Sequence, residues 1–188
     1  MSHGNIIERG RYVMKMTTRK LVITALGLAL AIVLPFLTGQ IPRIGNMMLP
    51  MHIPVLLVGF ICGWPYGLLL GFVAAPLRSL IFTMPPMFPV ALAMAFEMAA
   101  YGVLCGILYR LLPKKTINIY ISLIGAMIGG RIVWAIASYI LFAIAGNSFT
   151  WEIFAAQAFV NAVPGIILQI VLIPALVIAL KKANIIKD

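Results

Sequence analysis

The run Leu21–Leu37, LVITALGLALAIVLPFL, decides the fold class. It carries no charge, it is long enough to cross a hydrocarbon core as a helix, and Pro35 falls near its end, where a helix can stop. Five further apolar runs follow: His52–Ile61, Tyr66–Phe82, Phe88–Leu111, Ile119–Ala145 and Glu152–Leu180. Over the whole chain 63% of residues are hydrophobic and 10% are charged, with a mean hydropathy of +1.11. A soluble domain carries roughly 25% charged residues, so the solvent for most of this chain is lipid. The expected fold is all-α, an integral membrane bundle of six transmembrane helices.

The segments between the runs set the organisation. Residues 1–19 are polar and basic and read as a cytoplasmic tail, 20–182 as the membrane domain, and 183–188 as a second cytoplasmic tail. No small-residue cleavage site follows the first run, which reads as a retained helix. Gly63-Trp64-Pro65-Tyr66-Gly67 breaks the second run from the third, because proline between glycines cannot continue a helix. The second run is short for a span unless its helix begins within the preceding loop. Thr38–Met51 is rich in Gly, Pro and Asn and reads as a long loop; Thr83–Met87 carries two prolines and reads as a stiff one.

Charge fixes the expected orientation. The chain has 14 Lys+Arg against 4 Asp+Glu. In a soluble protein this excess would suggest nucleic acid; here six spans place Arg110, Lys114, Lys115, Lys181 and Lys182 on the side of the basic tail. The outer loops keep Arg43, with Arg78 near an outer helix end. The positive-inside rule then puts both termini on the cytoplasmic side of the cell membrane, and the excess needs no nucleic acid to explain it.

Glycines spaced four apart (Gly59/Gly63, Gly67/Gly71, Gly102/Gly106, Gly125/Gly129) read as close helix packing within the chain. Ala25 and Ala29 make a small-residue stripe on the first span, suited to a partner helix or to internal packing. Cys62 and Cys105 sit in apolar runs and read as small core residues.

Arg78, Glu97, Arg131, Asn161 and Gln169 interrupt the spans. Ionisable groups there cost about 2.5–3.5 kcal/mol each on insertion scales, which marks them as candidate functional residues. Glu97 can pair with Arg78 or Arg131, or serve a ligand. Glu97 and Asn161 each lie about nine residues below an outer helix start, about 13 Å down. Arg131 lies near mid-span, with Trp134 and Ser138 outward of it, and His52 opens the second span from the same side. These groups can converge on one outward-opening pocket, with Glu97, Arg131 and Asn161 inside and Arg78, His52 and Trp134 around them. There is no catalytic constellation, metal cluster, cofactor motif or nucleotide-binding loop, so the chain does not read as an enzyme, and active transport would need a partner or an ion gradient.

At this point the chain resembles the substrate-binding S component of an energy-coupling factor (ECF) vitamin transporter. The shared features are its size, six spans, long first outer loop, lack of an ATPase motif, the Ala25-x-x-x-Ala29 stripe, Leu49-Pro-Met-His-Ile-Pro54 leading to Gly63-Trp64, and Met84-Pro-Pro-Met-Phe-Pro89. The resemblance implies high-affinity capture of a small water-soluble vitamin or precursor from outside. It also implies docking of Ala25 and Ala29 on a transmembrane coupling subunit, driven by two cytoplasmic ATPases. It leans toward the pyridoxine or hydroxymethylpyrimidine type, although a carboxylate-bearing vitamin such as pantothenate would use the surplus arginine better. The competing class is a self-sufficient secondary carrier or small channel, which would show inverted repeats.

Overall fold

The computed structural model describes residues 18–38, 47–146 and 162–183. The basic tail before Thr18, most of the loop after the first span with Arg43, residues 147–161 and the last residues of the chain lie outside these. The described part is helical: α1 (Thr18–Thr38), α2 (His52–Cys62), α3 (Trp64–Phe82), α4 (Leu92–Leu111), α5 (Thr116–Ile144) and α6 (Val163–Lys182), with a wide turn Met87–Ala91 leading into α4. Among the described residues there is no strand. Five helices among the described residues are long and apolar enough to cross a membrane. The sixth, α2, has 11 residues, about 16 Å of helix, so it reaches only part of the way through a ~30 Å core.

The α2–α3 boundary is made by Gly63, whose φ of 94° and ψ of 175° suit glycine. Its N–H closes α2 on the Gly59 carbonyl, and Pro65 then opens α3, where its missing N–H costs nothing. The turn makes a helical hairpin laid along α4. Gly59 and Gly67 both lie against Gly102, Gly63 and Trp64 lie against Gly106, and Gly71 lies against Met98. So α2 runs parallel to α4 down to the level of Gly106, and α3 runs back up it. The approach is backbone to backbone: a Cβ at Gly67 would fall 2.7 Å from the Gly102 Cα. Helices come this close in lipid only where side chains are absent.

The Gly125/Gly129 pair also faces inward, toward the side-chain ends of Leu108 and Leu104 on α4. Cys62 and Cys105 are buried free thiols. The core runs between α2, α4, α5 and α6 through Leu56, Phe60, Tyr101, Cys105, Leu123, Ile173 and Val177. Outward, α5 exposes Ile121, Ile124, Ile128, Ile132 and Ile136, an apolar face that only lipid or a partner can cover.

Contacts gather Lys20, Lys114 and Lys181 at one end of the bundle. The Cys62 thiol faces the Lys20 carbonyl, and the Lys20 ammonium stands over the Tyr66 ring. Lys114 and Lys181 both stand over Tyr109, near the ends of α4 and α6. The described chain ends at Thr18 and Ala183 therefore lie at the same end as the Gly63 turn.

Candidate functional site

At the other end of the core α4 carries Glu97 and, one turn on, Tyr101. Glu97 is 2% exposed among apolar helices, where an unpaired carboxylate would not be tolerated. Three helices answer it. From α5, Arg131 Nη1 lies 3.0 Å from Glu97 Oε1. From α4 itself, the Tyr101 hydroxyl donates to the same oxygen at 3.0 Å. From the start of α2, His52 Nε2 stands 3.6 Å from Oε2, within ion-pair range and longer than a hydrogen bond. The His52 and Tyr101 rings meet edge to face at 5.3 Å. Room for the Tyr101 ring comes from Gly130 on α5, where any Cβ would occupy the ring's position.

Of the two arginines able to pair with Glu97, the structure uses Arg131. Its guanidinium also stands 5.9 Å from the Trp134 ring, which packs with Ala93 of α4. Arg131 Nε and Nη2 take no part in the pair; both are buried without a hydrogen-bond partner among the described residues. The same holds for both His52 ring nitrogens, Ser138 Oγ and the Gln169 amide. The cluster thus holds one carboxylate whose Oε1 is shared by two donors, and the spans hold further buried polar groups, donors and acceptors, still to be satisfied.

Arg78 is placed differently. It lies toward the end of α3 away from the Gly63 turn, seven residues beyond the Gly71–Met98 crossing, about 10 Å further along. Its Nη1 donates to the Ile32 carbonyl of α1 at 2.6 Å, and its guanidinium stands over Phe36 and Phe82 at 4.8 and 5.5 Å. The structure therefore brings Glu97, Arg131, His52 and Trp134 together, sets Arg78 against α1, and leaves Asn161 outside the described residues. Tyr101 was missed from sequence, because a tyrosine in an apolar span reads as packing; its i+4 relation to Glu97 was the available signal. Ala25 and Ala29 are exposed on α1.

The family described as "ECF transporter, substrate-specific component" matches residues 19–180. This chain belongs to that family. It is therefore a multi-pass membrane subunit that binds a small-molecule substrate for an ECF transporter, and not an enzyme. The fold agrees with that of a solved S component of a bacterial ECF transporter. The two share 21% identity over 88% of this chain and 95% of the other, with a TM-score of 0.60. No curated protein matches this S component.

Proposed function

We propose that this S component captures a small water-soluble vitamin or precursor, of the pyridoxine or hydroxymethylpyrimidine type, in the outer half of the bundle. The observation that carries this reading is the buried cluster of Glu97, Arg131, His52 and Tyr101, with the Nε and Nη2 edge of Arg131 unsatisfied. A ring with polar substituents suits aromatic neighbours such as Trp134 and His52 and would take up those donors. Asn161 completes the polar set from the sixth span, and Arg78 stands at the mouth.

The complex is a transmembrane coupling subunit, with which the exposed Ala25 and Ala29 make contact, and two cytoplasmic ATPases. The membrane domain is 20–182, in a bacterial plasma membrane, with the tails 1–19 and 183–188 cytoplasmic. The basic end formed by Lys20, Lys114 and Lys181 supports that orientation. Two measurements test the reading. Titration of the purified subunit with water-soluble vitamins should find one ligand with submicromolar affinity, and Arg131→Lys should weaken it by about tenfold or more. Uptake in proteoliposomes should require the coupling subunit, ATPases and ATP. Ligand-independent behaviour of Arg131→Lys, or uptake by the subunit alone, overturns it.

A further inference from the structure

Gln169 is a polar side chain of α6 that the cluster around Glu97 does not use. It is 1% exposed, and neither its carbonyl oxygen nor its amino group has a hydrogen-bond partner among the described residues. The hydrocarbon of the bilayer cannot supply one.

Its neighbours place it. Gly165, one turn earlier, lies against the backbone of Met47 and Met48, just ahead of α2; a Cβ there would come within 2.6 Å of the Met47 oxygen. Ile173, one turn later, belongs to the core shared with Leu56 and Phe60 of α2. Gly165, Gln169 and Ile173 are all buried and four apart, so they share the inward face of α6. Gln169 falls between these two levels, as His52 falls between Leu49 and Leu56. The opposite end agrees. Lys181 stands over Tyr109, and Gln169 and Glu97 precede that pair by the same length of helix, about 18 Å. Gln169 thus lies on the inward face of α6 at the depth of Glu97.

An amide differs from the other groups there, because it holds an acceptor and a donor side by side. A carboxylate ligand would satisfy the amino group and set oxygen against oxygen. A planar edge with a donor beside an acceptor satisfies both at once, as glutamine does on the edge of adenine. Charge points the same way, since Glu97 already neutralises Arg131. We infer that Gln169 contacts the substrate, and that the substrate's inner end is an uncharged planar donor–acceptor edge like that of an aminopyrimidine or a carboxamide. This rests on the binding reading above and narrows its substrate class.

The test is calorimetric titration of the purified full chain, as wild type, Gln169→Leu and Gln169→Glu, with a panel of water-soluble vitamins and precursors. The panel includes 4-amino-5-hydroxymethyl-2-methylpyrimidine, pyridoxine, pantothenate, and nicotinamide paired with nicotinate. The expected tightest ligand carries the edge. Gln169→Leu should weaken it by about tenfold or more while the melting temperature holds or rises, because the substitution removes a buried unpaired amide. Tightest binding of pyridoxine, pantothenate or nicotinate overturns the inference and leaves the vitamin-binding reading intact. Unchanged affinity in Gln169→Leu does the same. Binding of no vitamin at all overturns both.

Discussion

Tyr101 donates its hydroxyl to the oxygen of Glu97 that also faces Arg131, at 3.0 Å in each case. A carboxylate oxygen shared by a neutral and a charged donor is held in one rotamer, and it holds both donors in turn. Hydrogen bonds to a charged group contribute about 1.5–3 kcal/mol. Tyr101→Phe keeps the ring against Gly130 and removes only the donor. Its melting temperature in detergent should fall, and its ligand affinity should fall by less than that of Arg131→Lys. An unchanged melting temperature would mean that the Tyr101 bond contributes nothing.

Glu97→Gln keeps the shape and removes the charge. Leaving a buried arginine without its partner typically costs about 3–5 kcal/mol. The variant should lose thermal stability, and the fraction still folded should bind ligand about tenfold more weakly, about 1.4 kcal/mol. Stability and affinity are read separately, by melting in detergent and by titration at low temperature. Full affinity in the folded fraction would reduce Glu97 to a structural role.

The glycine contacts predict a contrast between two alanine substitutions. At Gly102 the new Cβ would meet the backbone of Gly67, which cannot yield. At Gly125 it would meet only Leu108 Cδ1, at 2.9 Å, the end of a flexible side chain. Overpacking costs typically 1–3 kcal/mol, at the upper end where backbone is struck. Gly102→Ala should therefore lower the melting temperature clearly, and Gly125→Ala should lie near wild type. Equal effects would contradict the close approach of α3 to α4.

On α1, Ala25 and Ala29 are exposed while Gly27 is buried against Val58 and Leu70. Ala25→Trp or Ala29→Trp should abolish assembly with the coupling subunit, seen by co-purification, and leave ligand affinity within about twofold, under 0.5 kcal/mol. Loss of ligand binding together with assembly would show that the stripe serves folding.

Helices were legible because apolar length needs no knowledge of direction: Leu21–Leu37, Tyr66–Phe82 and Ile119–Ala145 lie within α1, α3 and α5 apart from one residue at the last end. Gly63 and Pro65 marked their break for conformational reasons that hold in any solvent. Facing was harder to read. A soluble helix shows its inside by polar residues on the outside, but these helices are apolar all round, and the signal vanishes. Hence the turn of Arg78 toward Ile32 could not be separated from a turn toward Glu97, and the choice of Arg131 as the partner needed the packing. Gln169 stood out as a polar residue in a span, but its depth emerged only once Gly165 was seen against Met47.

The seam between Gly67 and Gly102 also limits how the bundle can open. With backbone touching backbone, α3 and α4 form a slab that cannot slide or splay without opening voids along its length. Glu97 rides on that slab and Arg131 on the neighbouring α5, so separating these two helices breaks the 3.0 Å ion pair. Movement of α1, fastened by Arg78 at its Ile32 carbonyl, leaves the pair untouched. The charge pair therefore works as a clasp between α5 and the slab, fixed at the depth where the buried polar groups gather.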